Sequence, residues 1–192
     1  MSQFMRSSAS IAYTPHTRPR LAFSLVELAI TIAIIAILLG ILLPALARAR
    51  AAQRRTTCLS NLRQIATAFS LYAQDYGGYG PDDYSDLTWD ALIWPYLKVE
   101  AVYLCPDDED GYDEDFGTSY EWRDLFAVSF DKPECALSGR DLLSARPSTL
   151  VLVFDAVIGW HGPDTVNVGL LDASAINMTA EDFDANMNTP VE

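Results

Sequence analysis

The sequence predicts an α+β protein: a long N-terminal helix, its first half suited to crossing a membrane, packed on a small antiparallel β-sheet head. Three observations lead there. First, no residue between Leu28 and Leu43 is charged, and only Thr31 and Gly40 interrupt the apolar run. Extended through Pro44 to Ala47, the run makes about 20 residues, or roughly 30 Å of helix, which matches a bilayer core. Second, Leu59, Leu62, Ile65, Ala66, Phe69, Tyr72 and Tyr76 recur at three- and four-residue steps, with Asn61, Gln64, Thr67 and Gln74 mostly between them. That is the pattern of a helix with one apolar face. Third, two stretches rich in β-formers, STLVLVFDAV (148–157) and TVNVGLLDA (165–173), flank the turn GWHGPD (159–164). Such an arrangement reads as an antiparallel hairpin.

Taken in order, residues 1–22 carry Arg6, Arg18 and Arg20 among Ser, Thr and Pro and read as a leader peptide. Residues 23–47 form the transmembrane segment of the helix and 48–78 its amphipathic continuation, which YGGYGP (76–81) ends with two glycines and a proline. Pro44 lacks the N–H needed for the helical ladder and should kink or locally melt the helix. In the head, 79–180, LTWDALIWPYL (87–97) is a short amphipathic helix or turn ending at Pro95, and DDEDGYDEDFG (107–117) a solvated acidic loop. Trp89, Trp94, Trp122 and Trp160 are expected to fill the small core. Residues 181–192, acidic and poor in large apolar groups, read as a loose tail.

Charge separates the two halves. Residues 1–74 hold eight arginines and a single acid, Glu27, whereas residues 75–192 hold five basic and 25 acidic residues. A strongly acidic head is a poor ligand for nucleic acid, which demands clustered Lys and Arg. The three cysteines, Cys58, Cys105 and Cys135, allow at most one intramolecular disulfide. If the head is exported, Cys105 with Cys135 is the natural pair, closing a loop of about 30 residues with a stabilisation of about 2–4 kcal/mol; three buried free thiols are the alternative.

The segment AFSLVELAITIAIIAILLGILLPALARAR resembles the prepilin-type N-terminal cleavage and methylation segment of type IV pilins and type II secretion pseudopilins. The resemblance implies a peptidase cut between Ala22 and Phe23, with Ala22 standing where the family usually has Gly. It also implies methylation of the new Phe23 N-terminus, Glu27 as fifth residue of the mature chain and Pro44 as its twenty-second. CLSNLRQIATAFSLYAQDYGGYGP (58–81) is similar to the helix end of major-pseudopilin-like proteins abundant in planctomycete- and lentisphaera-type bacteria. YLCPDD (103–108) and HGPDTVNVGLLDAS (161–174) resemble further features of that group, although Ala173 and Ser174 stand where it usually has Gly and His.

Physical chemistry supports a role for Glu27. An ionised carboxylate in hydrocarbon costs about 2.5–3.5 kcal/mol even on insertion scales, so an intramembrane acid is functional by default. Cleavage before Phe23 creates an α-amino cation four residues away, on much the same helix face. In a filament of staggered subunits Glu27 could meet the amine of a neighbour, and in a water-poor core that contact would select the stagger. The bland alternative is a residue snorkelling just outside the core. An ordinary secretory signal cut after ALA (45–47) is disfavoured by the length of the apolar run, by Glu27, and by Arg48 and Arg50 directly after the cut.

Two further candidates lie in the head. Asp107, Asp108, Asp110 and Asp113 could bind calcium through hard oxygen donors, and resemblance to major pseudopilins implies a structural calcium in a C-terminal loop; a plain solvated charge run is the simpler reading. His161, with Asp155, Asp164, Ser148 and Ser174, lacks the signatures of a hydrolase triad and reads as a turn residue bonded locally. His16 in the leader gives it no metal-binding partner.

The sequence therefore points to a structural pilin or pseudopilin subunit rather than an enzyme. Its expected partners are the prepilin peptidase, like subunits in a filament, an inner-membrane assembly platform, and membrane lipid, whose phosphates Arg48, Arg50, Arg54 and Arg55 would meet. The resemblance places the leader in the cytoplasm and the head in the periplasm, against naive counting of the arginines flanking the span. The alternative is a membrane-anchored, extracytoplasmic binding module that does not polymerise.

Overall fold

Helix α1, Leu25–Asp75, runs unbroken through Pro44 in the computed structural model, which describes residues 24–82, 87–109, 111–124, 127–128, 131–146 and 148–191. Local melting at Pro44 is thus not seen. Proline deletes one ladder bond, and the Leu- and Ala-rich turns on both sides are strong enough helix formers to carry the helix past it. The chain divides into two units, residues 1–44 and 45–192.

In the first unit every described residue is exposed, including Leu28, Ile32, Ile35 and Leu39. Here α1 is apolar on all sides, as a helix in lipid or among like helices must be.

In the second unit α1 becomes one-faced. Cys58, Asn61, Leu62, Ile65, Ala66, Phe69, Tyr72 and Ala73 are buried, spaced three and four residues apart as the sequence predicts. The helix stops where it should: Gly77 takes a left-handed φ of 69° and the Gly78 amide reaches back to the Ala73 carbonyl at 2.6 Å. This is a Schellman closure, which only a residue tolerant of positive φ makes cheaply.

The head contains α2 (Trp89–Leu97), α3 (Tyr112–Phe116), strands β1 (Tyr120–Trp122), β2 (Val151–Asp155), β3 (Thr165–Leu170) and β4 (Ala175–Thr179), and α4 (Ala180–Met187). The strands form one antiparallel sheet in the order β1-β2-β3-β4. The expected β2–β3 hairpin is present, and it is extended by a strand on each side that the sequence did not announce. The acidic loop is likewise not wholly loop, since α3 forms inside it. Helix α2 runs two residues past Pro95 and closes on Lys98, which adopts a left-handed φ of 49°.

The sheet is covered on both faces. On one side Leu62, Ile65 and Phe69 of α1 pack with Tyr120, Trp122, Leu152 and Val153. Phe69 stacks on Trp89 at 5.6 Å and on Trp122 at 5.2 Å between ring centroids. Trp122 is buried and Trp89 and Trp160 pack partly buried against this core, but Trp94 is 44% exposed, contrary to expectation. Its ring lies over Tyr103 instead of inside the core. Gly169 of β3 lets the helix approach: a Cβ there would meet Val153 Cγ1 at 2.8 Å and the Leu62 carbonyl oxygen at 3.0 Å. On the other side Val151, Phe154, Val166, Val168 and Leu170 pack with Phe183 and Met187 of α4.

The C-terminal segment is therefore not a loose tail. Thr179 caps α4 by accepting from the Asp182 amide at 3.1 Å, and the wholly buried Arg123 ties down the residues that follow. Arg123 donates through Nε to the Cys135 carbonyl (2.6 Å), through Nη1 to Asn186 Oδ1 (3.1 Å), and through Nη2 to the carbonyls of Met187 (3.2 Å) and Thr189 (2.6 Å). The acidic residues that suggested disorder face outward from a helix with only two buried anchors, Phe183 and Met187.

Candidate functional site

Two regions carry functional residues, and each is described within its own unit. At the start of α1, Ser24 and Glu27 form a capping box. Glu27 Oε2 accepts from the Ser24 amide at 3.0 Å, and Ser24 Oγ accepts from the Val26 amide at 3.3 Å. The helix's first orphan N–H groups are thereby met by one hydroxyl and one carboxylate. Glu27 is also well placed for the positive end of the helix dipole. The S-x-x-E spacing was available in the sequence at 24–27 and specifies this local role beside any role in assembly. Ala22 and Phe23 lie outside the described residues.

The second region lies where α1 meets the head, and its disulfide differs from the expected one. Cys58 bonds Cys105, with Cα atoms 5.5 Å apart, while Cys135 is a buried free thiol. The expected Cys105–Cys135 bridge fails because Cys58, on the inward face of α1, is brought against Cys105. Cys135 instead ends a 3₁₀ turn, Pro133–Cys135, whose carbonyl serves Arg123. Sequence proximity favoured the 30-residue loop; the helix face decided the partner.

Around this disulfide four polar residues converge. His161 Nε2 lies 3.2 Å from Cys105 Sγ and 3.5 Å from Asp155 Oδ2. His161 Nδ1 lies 2.7 Å from Asp107 Oδ2, a close contact not aligned as a hydrogen bond. The other Asp107 oxygen pairs with Arg54 Nε. The turn histidine is therefore not bonded locally, as expected, but joins α1, the 105–107 segment and β2. Burial lowers its pKa, with the neighbouring Asp107 carboxylate pulling the other way. Burial also pushes the Asp155 carboxyl up to about 7, opposed by hydrogen bonds from Asn167. Both groups are thereby drawn towards their neutral forms. Asp155 Oδ2 accepts from the Asn167 amide at 3.0 Å, and its Oδ1 has no hydrogen-bond partner among the described residues.

Two of the four acids considered for calcium have partners within the chain. Asp107 faces Arg54 and His161, and the two Asp108 oxygens accept from the amides of Tyr112 and Asp113 at 3.0 Å each. Asp110 lies outside the described residues. Of the serines considered for a triad, Ser174 donates to Asp172 within the β3–β4 turn.

Residues 17–43 match the family described as the prokaryotic N-terminal methylation motif. No curated protein and no solved structure matches the chain. The matched segment contains Ala22, Phe23 and Glu27 and stops one residue before Pro44. It marks a prepilin-type substrate of the prepilin peptidase. A long apolar N-terminal helix followed by a small β-sheet head is the arrangement typical of pilin-like proteins. By length and composition α1 can cross a membrane, consistent with an anchored protein.

Proposed function

We propose that the chain is a pilin- or pseudopilin-like filament subunit, cut between Ala22 and Phe23, methylated on Phe23 and assembled through the apolar part of α1. The carrying observation is the first unit: a helix exposed on every side, apolar from Leu28 to Leu43, with one acid at its head. Such a surface is stable only in lipid or against copies of itself. In the membrane Glu27 has an intrachain donor in Ser24; in a filament the Phe23 amine of a neighbour replaces it, an ion pair charged on both sides in place of a bond charged only at the acceptor. The head then sits outside the cytoplasmic membrane, with Arg48, Arg50, Arg54 and Arg55 near the lipid phosphates before assembly.

The test compares the natural chain with Glu27→Gln in a host supplying prepilin peptidase and an assembly platform. Membrane insertion should be unchanged, while crosslinked ladders through residues 23–60 should disappear. Normal ladders from Glu27→Gln would remove the register role. Absence of ladders from the natural chain would favour an anchored head that does not polymerise. N-terminal sequencing should read Phe23 first.

A further inference from the structure

The cluster at the disulfide also has the composition of a metal centre. One donor atom each from Cys58, Cys105 and His161 lie within 4.8 Å of one another. Cys58 is fully buried, Cys105 is 5% exposed and the His161 side chain is 0% exposed. We propose that Cys58, Cys105 and His161, with the cysteines as thiols, bind a thiophilic divalent cation of the zinc class, and that Asp107 positions His161 as a ligand.

Geometry supports this in three ways. Metal–sulfur bonds of about 2.3 Å and metal–nitrogen bonds of about 2.0–2.1 Å at tetrahedral angles place sulfur and nitrogen about 3.5 Å apart. The Cys105 Sγ to His161 Nε2 distance, 3.2 Å, is within a few tenths of that edge. Next, Asp107 stands at the far ring nitrogen, 2.7 Å from Nδ1. A carboxylate beside Nδ1 favours the proton on that nitrogen and so leaves Nε2 free to ligate, the place an outer carboxylate takes once it aligns with a metal-bound histidine. Finally, charge balances: two thiolates neutralise the cation, and Asp107 is neutralised by Arg54. A pocket whose lining includes Ala51, Ala52, Arg55, Trp160 and His161 lies beside the cluster, on the side from which a cation and a fourth ligand would approach.

Disulfide and metal are alternative states of the same pair. The newly made chain carries two thiols. Exchange with a disulfide oxidant passes two electrons and two protons to that oxidant, reducing it to two thiols, and forms the S–S bond, whereas cation binding releases two protons and leaves the sulfurs reduced. With Cα atoms 5.5 Å apart, side-chain rotation suffices to move the sulfurs from bonded contact to a ligand spacing of about 3.8 Å.

The test uses the full chain in detergent carrying Cys135→Ser, so that the third thiol cannot contribute. Reduced with a phosphine, stripped of metal and titrated with Co²⁺, it should bind one equivalent, with thiolate-to-cobalt charge-transfer absorption and strong tetrahedral d–d bands that Zn²⁺ displaces. Reoxidation of the same sample, which keeps the fold, should abolish the signal. Asp107→Asn should keep the bands but weaken affinity about 10–100-fold. The proposal is overturned if the reduced chain takes up no cobalt, if cobalt binds without thiolate absorption, or if Cys58→Ser/Cys105→Ser binds as tightly.

Discussion

Replacing Arg123 with Met tests the strongest polar anchor in the head. The guanidinium is wholly buried with no carboxylate partner among the described residues, and burial lowers its pKa to about 10. From an ordinary value of 12.5, that depression corresponds to about 3 kcal/mol of desolvation working against the fold. Opposing it are four hydrogen bonds, to Cys135, Asn186, Met187 and Thr189. At about 1.5–3 kcal/mol for a bond to a charged group, these outweigh the cost by a few kcal/mol. Met fills the aliphatic volume but strands the acceptors, so about 3 kcal/mol of stability should be lost. For a unit of this size that is about 6–12 °C in Tm, followed by tryptophan fluorescence in detergent, Trp122 being the adjacent reporter. Arg123→Lys keeps the charge but not the fork and should recover less than half. If the Met variant unfolds at the natural temperature or above it, desolvation outweighs the bonds and the anchoring argument is wrong.

Gly169→Ala forces a Cβ against Val153 and the Leu62 carbonyl and should cost about 1–3 kcal/mol in thermal unfolding. Adding Val153→Ala makes room and should recover part of that loss, giving a non-additive double-mutant cycle. Thr179→Ala removes the cap of α4 and should cost about 1 kcal/mol, seen first as faster amide exchange over 180–187. With metal excluded, reducing the Cys58–Cys105 bridge, whose ends are 47 residues apart, should cost about 4 kcal/mol on loop-closure entropy. Cys135→Ala should leave that reductant sensitivity intact, whereas a Cys105–Cys135 bridge would predict its loss.

The elements read correctly from sequence were those with strong local codes: α1 from its three- and four-residue spacing, its end from Gly77 and Gly78, and the β2–β3 hairpin from two β-rich runs around a glycine turn. What escaped depended on partners distant in the chain. Strand β1 is three residues long and exists because β2 offers it an edge, so YEW carries no signal of its own. Helix α4 needed only Phe183 and Met187 to anchor it and was hidden by its acids. The S-x-x-E box was readable, but an acid at the head of an apolar span carries an intermolecular reading as well, and spacing alone does not separate the two. His161 could not be placed because its neighbours, Cys105, Asp107 and Asp155, come from two other segments that only the folded head brings together.

The Cys58–Cys105 bond also settles how the head answers a pull. Tension running up α1 reaches residue 58 and passes directly to residue 105, in the segment that leads into β1. The 46 residues between, including the Schellman turn and α2, are shunted out of the load path. The protein can therefore lose structure around residues 76–104 without slackening under force, as a stitched seam holds while the cloth beside it creases.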